Sequence, residues 1–246
     1  YHFCIIIMKR KPFLLLLLVF VTVMPLAAQQ HLADSIETLL KKELPDSTRA
    51  VAMAFRGMYY ETIDSAKSKQ FYKEAIDYAV KRKLNYAAGL ALHYSIYVDL
   101  AAGKYREHLN DIDKALYYLS LSNSEASSVQ SALVVDSKAS FFFREEQYDS
   151  AAAWYLKGIA ILEKIRKDDR LATTYFNLAG VYQILNLREN QKQYILKALD
   201  ASKRYGQASE IASMYSALSD YYHTGKEYKT ALLYSDSAGL FFSEDM

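Results

Sequence analysis

The sequence predicts an all-α protein built from a repeated pair of helices, and three observations carry that prediction. The prolines are Pro12, Pro25 and Pro45, so the chain from residue 46 onward has none. Proline breaks helix interiors, and a long proline-free stretch rich in Ala, Leu, Lys, Glu and Tyr reads as nearly continuous helix. The second observation is negative: β-branched alternation between Gly, Pro and Asn turns, the mark of strands, is essentially missing. The third is recurrence. "GKYREHLNDIDKAL" (Gly103 to Leu116), "EEQYDSAAAWYLKGI" (Glu145 to Ile159) and "GKEYKTALLYSDSAGL" (Gly225 to Leu240) each set a tyrosine three residues ahead of a short residue at His108, Ala151 or Ala231.

The chain begins at Tyr1, and Met8 is the plausible start. From there a basic Lys9-Arg10-Lys11 precedes an apolar run, Phe13 to Met24, followed by Pro25, Ala27 and Ala28. That is the layout of a secretory signal peptide. The run is short for a membrane span, which takes roughly 20 residues. Residues 1–28 are therefore assigned to upstream sequence plus a leader, and the protein is expected to be exported to the periplasm. No cysteine stands at the cut site, which argues against a lipoprotein. The single cysteine, Cys4, lies ahead of the leader. The exported part then has no disulfide, thiol nucleophile or thiolate metal site. Loss of the leader leaves 27 basic and 28 acidic residues, a net charge of −1 instead of +2. A near-neutral chain with interspersed signs gives no electrostatic case for nucleic acid.

Residues 29–46 read as an N-terminal helix or linker, and the repeats follow. "AKSKQFYKEAIDYA" puts Ser68 at the position of His108, Ala151 and Ala231, and "LRENQKQYILKAL" puts Gln191 there. The steps from Ser68 are 40, 43, 40 and 40 residues. A steady period of one helix pair per step is the signature of a helical array. The predicted units are 47–84, 85–124, 125–167, 168–206 and 207–246. In the fourth, Tyr175, Leu178, Ala179 and Tyr182 fall at i, i+3, i+4 and i+7, one face of a helix. Gln191, Tyr194, Ile195 and Ala198 share a face of the next helix, and Gly206 is its expected stop. Trp154 reads as core, His108 as a packed residue of its helix, and "KIRKDDR" (Lys164 to Arg170) as a solvated connection. One pair cannot bury both of its apolar faces; stacking buries them.

The residues in these units resemble the tetratricopeptide repeat (TPR) family, which puts an aromatic, Leu, a small residue and Tyr in helix A, then a Gly-x-Tyr turn, then Ala and an aromatic in helix B. "YFNLAGVY" (Tyr175 to Tyr182) and "YSALSDYY" (Tyr215 to Tyr222) match helix A. Tyr148, Ala151 and Tyr155, then Tyr228 and Ala231, match helix B, with Ser68, Tyr72 and Ala75 in the first copy. The resemblance covers about residues 47–242 and implies a right-handed superhelical solenoid of antiparallel helix pairs with about five repeats. The units are about 40 residues rather than about 34, similar to the long-helix repeats of bacterial regulators and kinesin light chains. The usual proline after helix B is missing, and His108, Gln191 and Ser235 replace Ala or aromatic residues.

The resemblance further implies that the A helices line a concave groove for a partner. The groove positions here are His93 and Tyr97, then Asp136, Ser140 and Phe143, then Asn177, Gly180 and Gln183, then Ser216, Asp220 and His223. Aromatic, amide and carboxylate side chains in that mix suit an extended peptide or another protein. The positions with which some family members clamp a chaperone's terminal carboxylate hold Met53, His93, Asp136, Phe176 and Ser216, so no cationic clamp is expected. Asp220 and His223 lie one turn apart, but a metal needs a third ligand. There is no Gly-rich phosphate loop, G-x-S-x-G or HExxH. The expectation is a scaffold without catalytic activity, cofactor or metal. The alternative is the extracytoplasmic input region of a longer membrane-bound histidine kinase or transcriptional regulator, since the chain resembles the front end of such proteins. The apolar "GLFFSEDM" end further predicts that more helix follows Met246, because arrays end on a polar cap.

Overall fold

The computed structural model describes residues 26–100 and 109–243. The leader ahead of residue 26, and His108, lie outside the described residues. Everything described is helix, turn or short connection, with no strand among the described residues. The helices run α1 (Leu26–Leu40), α2 (Asp46–Tyr60), α3 (Ser65–Lys81), α4 (Asn85–Leu100), α5 (Leu109–Ser120), α6 (Glu125–Arg144), α7 (Tyr148–Lys164), α8 (Asp168–Ile184), α9 (Arg188–Tyr205), α10 (Ala208–Thr224) and α11 (Tyr228–Ser243). None among the described residues is long and apolar enough to cross a membrane. The chain divides into two compact units, residues 1–122 and 123–246.

In the first unit α2 packs on α3 and α4, and α4 on α5, with α1 against α2. Its core is dominated by alanine: Ala50, Ala54, Ala75, Ala79, Ala87, Ala88 and Ala91 are all but sealed from solvent. Small side chains let the backbones close on one another, and larger ones fill the remaining space. One close approach is at Gly57, where an added Cβ would lie 2.7 Å from the Tyr72 ring. There Ser68 donates its hydroxyl to the Gly57 carbonyl at 2.8 Å, tying α3 to α2. Asp64 caps α3 by accepting the Lys67 amide at 3.0 Å, which satisfies one of the helix's orphan donors.

In the second unit the packing is α6 on α7, α8 on α9 and α10 on α11, with α7 against α8 and α9 against α10. Leu162, Leu178, Val181, Ile195 and Leu218 are fully enclosed, with Tyr155, Tyr175, Tyr182 and Tyr221 around them. The predicted face of Tyr175, Leu178, Ala179 and Tyr182 is buried along its length, as are Gln191, Ile195 and Ala198 opposite it. Trp154 is only partly buried, at the margin of this core. Gly206 does end α9, in extended backbone. The stretch "KIRKDDR" is mostly helix: Lys164 closes α7 and Asp168 opens α8, so only residues 165–167 connect them. Ile165 packs against the core, while Lys164, Arg166, Asp169 and Arg170 are exposed, so the stretch is solvated as expected but the loop itself is short.

In the second unit the turns from the first to the second helix of each pair are copies. Glu146, Asn186 and Lys226 sit at φ 59°, 56° and 64°. The next amide, of Gln147, Leu187 or Glu227, donates back to the carbonyl of Phe142, Tyr182 or Tyr222 at 2.9 Å each. This left-handed residue with a six-to-one bond is the Schellman stop. Gly225, at the head of "GKEY", keeps φ −76°; the left-handed position is Lys226, one residue later.

Candidate binding surface

The proposed groove residues divide between the units. His93 and Tyr97 belong to α4 in the first. His93 is 2% exposed; its Nε2 lies 3.0 Å from the Tyr97 hydroxyl, and its ring stacks on Tyr94. The His93 ring is thus part of the packing of α4 and offers no open contact.

In the second unit the candidates lie on α6, α8 and α10, most of them in rows spaced 40 residues apart: 136 and 216, then 140, 180 and 220, then 143, 183 and 223, with Asn177 one residue past the first row. Their surroundings differ from helix to helix. On α6 they turn inward. Ser140 shares a hydrogen bond of 2.9 Å with the Tyr155 hydroxyl of α7, and half-buried Phe143 meets the Tyr148 ring edge-on. Asp136 accepts a bond from the Thr174 hydroxyl of α8 through Oδ2, while its Oδ1 is enclosed with no partner. Burial pushes the Asp136 carboxyl up to about 7, and the Thr174 bond acts weakly the other way. On α8 and α10 the positions open. Phe176, Asn177 and Gly180 are half-buried and Gln183 is exposed. Ser216 donates to its own helix at Ala212. Asp220 and His223 are exposed, with the His223 ring edge-on to Tyr228. Ile184, 43% exposed, adds an apolar contact beside Gln183. The accessible part of this face is therefore the last turns of α8 and α10. Among the described residues no three His, Cys, Asp or Glu side chains gather as a metal site would require.

Sequence reasoning missed two features of this unit. One is a ladder of aromatic pairs at fixed repeat positions: Phe142 on Trp154, Tyr182 on Tyr194 and Tyr222 on Tyr234, with centroids 6.5, 5.6 and 5.4 Å apart. Each pair joins the last turn of one helix to the first turns of the next. Lysines lie over these rings, Lys157 above Trp154 at 4.4 Å and Lys197 above Tyr194 at 5.0 Å. Offset rings and overlying cations each contribute about 0.5–1.5 kcal/mol, which gives the many tyrosines a structural use. The other is Lys138, 8% exposed where α8 and α10 carry fully buried Leu178 and Leu218. Its ammonium lies 4.3 Å from the Trp154 ring. The 40-residue register alone pairs Lys138 with those leucines, and that was the available signal.

These paired helices, fixed turns and repeated core positions define a helical-repeat protein of the tetratricopeptide type. Known structures agree on the fold. The chain is similar to BtubC (BKLC) from P. vanneervenii, with a TM-score of 0.67 at 14% identity over 89% of this chain and 90% of that one. It is similar to the TPR-like repeats of a putative kinesin light chain from Podospora anserina, at 0.63 and 12% over 83% and 99%. It is also similar to a Rap protein solved in complex with competence and sporulation factor, at 0.64 and 10% over 85% and 68%. No protein-family model matches the chain, and no curated protein matches it by sequence.

Proposed function

We propose that the chain is a non-catalytic scaffold, exported to the periplasm, that holds a protein or extended peptide against the α8 and α10 face of its second unit. The observation that carries this reading is the exposure of Gln183, Ile184, Asp220 and His223 in the last turns of two A-type helices, α8 and α10, with Phe176 and Asn177 of α8 half-buried. Aromatic and aliphatic groups supply contact area, and amides can pair with a peptide backbone. A Rap protein of the same fold, solved with competence and sporulation factor, supports a binding role. The layout of Met8 to Ala28 supports export.

Selection from a displayed random-peptide library on purified residues 29–246 tests the binding role. The enriched peptides are expected to lose about tenfold or more in affinity when Asn177, Gln183 and His223 are all changed to alanine, which is about 1.4 kcal/mol, with unfolding unchanged. Absence of enrichment, or binding indifferent to these changes, overturns the proposal.

A second reading, the input region of a longer membrane-bound regulator, takes support from α11. Its Leu232, Leu233 and Leu240 are 63%, 67% and 68% exposed, and large exposed apolar side chains in a row favour a covering element.

A further inference from the structure

Among the described residues three enclosed side-chain polar atoms have no partner: Arg56 Nε, Asp136 Oδ1 and Ser202 Oγ. The first belongs to a guanidinium that is already paired with Glu74, and the third to a neutral hydroxyl. Asp136 Oδ1 belongs to an acid, and ionising it leaves a buried charge with one oxygen uncompensated, which is costly.

Two other helices contribute to the enclosure. On α7, Gly158 stands so close that a Cβ there would come to 2.4 Å from Asp136 Oδ1. On α8, Thr174, itself 1% exposed, donates to Oδ2. Neither residue carries charge. Burial and the Thr174 bond are what act on the carboxyl, and several charged groups of the surrounding elements have contacts of their own. Lys138 of α6 and Lys157 of α7 lie over Trp154. Glu163 of α7 accepts from the Tyr175 hydroxyl. Arg170 of α8 lies beside Asp169, and Lys167 ahead of it pairs with Glu125.

We infer that Asp136 is a proton-operated fastener: protonation of Oδ1 tightens the packing of α6 against α7 and α8, and loss of that proton loosens it. In the acid form the proton sits on Oδ1, and Oδ2 still accepts from Thr174, so no bond is lost in gaining neutrality. The sign follows from linkage. Burial holds the folded carboxyl near 7, above the ordinary aspartate value near 3.9. Between those limits the folded state binds the extra proton, so stability falls as pH rises through that window. Ordinary salt-bridged carboxylates have the opposite slope.

The test compares urea unfolding of residues 29–246 and of Asp136→Asn at about pH 5.5 and about pH 8. The wild type is expected to lose at least about tenfold more in its folding constant between the two pH values than Asp136→Asn does. A carbon-13 titration of the Asp136 carboxyl in the wild type needs no variant and is expected to have its midpoint above about 6. Thr174→Val, which removes the one bond favouring the carboxylate, should move that midpoint higher. Equal pH slopes in the two proteins, or a carboxyl titrating below about 5, overturns the inference.

Discussion

Among the described residues five non-glycine residues hold a left-handed backbone: Lys83, Glu146, Arg166, Asn186 and Lys226. An L side chain costs roughly 1 kcal/mol there, and glycine or asparagine is the usual occupant. Lys226→Gly should therefore raise the unfolding free energy by about 1 kcal/mol, less the extra freedom glycine gives the unfolded chain. Urea titration measures this, and a loss of stability would mean that the Lys226 side chain has a role beyond the turn. "GKEY" invites the reading that Gly225 serves the turn. The strained position is set by where the helix stops, and nothing in a lysine announces it. Asp136 was legible as a groove position in the repeat register. Its enclosure was not, because that depends on the missing Cβ of Gly158 and on Thr174, which come from two other helices.

The helix pair was the most legible level. Tyr175, Leu178, Ala179 and Tyr182 could be placed on one buried face from spacing alone, because the same core chemistry recurs every 40 residues. Lys138 breaks that chemistry, and its reason lies in the fold: the ammonium rests on the Trp154 ring at the margin of the core. A lysine held 8% exposed loses hydration that a cation–π contact of about 0.5–2 kcal/mol only partly offsets. Lys138→Leu, which restores the residue found in α8 and α10, is expected to leave stability unchanged or raise it by up to about 2 kcal/mol. A loss of more than about 1 kcal/mol by urea titration would show that the Lys138–Trp154 contact fixes α6 on α7.

At the scale of the molecule, near-neutral charge and helix pairs throughout the described residues are what the proposed scaffold would need to hold a partner through shape and a few polar contacts. The class of protein was legible because periodicity survives even where individual residues have diverged. The candidate surface was less so: the sequence offered eleven groove positions, and folding turned His93, Asp136 and Ser140 inward while leaving Gln183, Asp220 and His223 outward. Register tells which face a residue belongs to, but depth depends on the size of its neighbours on other helices. The most direct test of the scaffold reading is backbone hydrogen exchange of residues 29–246 with and without a peptide selected on it. Slowed exchange in 176–184 and 216–224, with 188–205 and 228–243 unchanged, is the predicted result. Slowing confined to 188–205 and 228–243 would place the partner on the opposite helices and contradict the account.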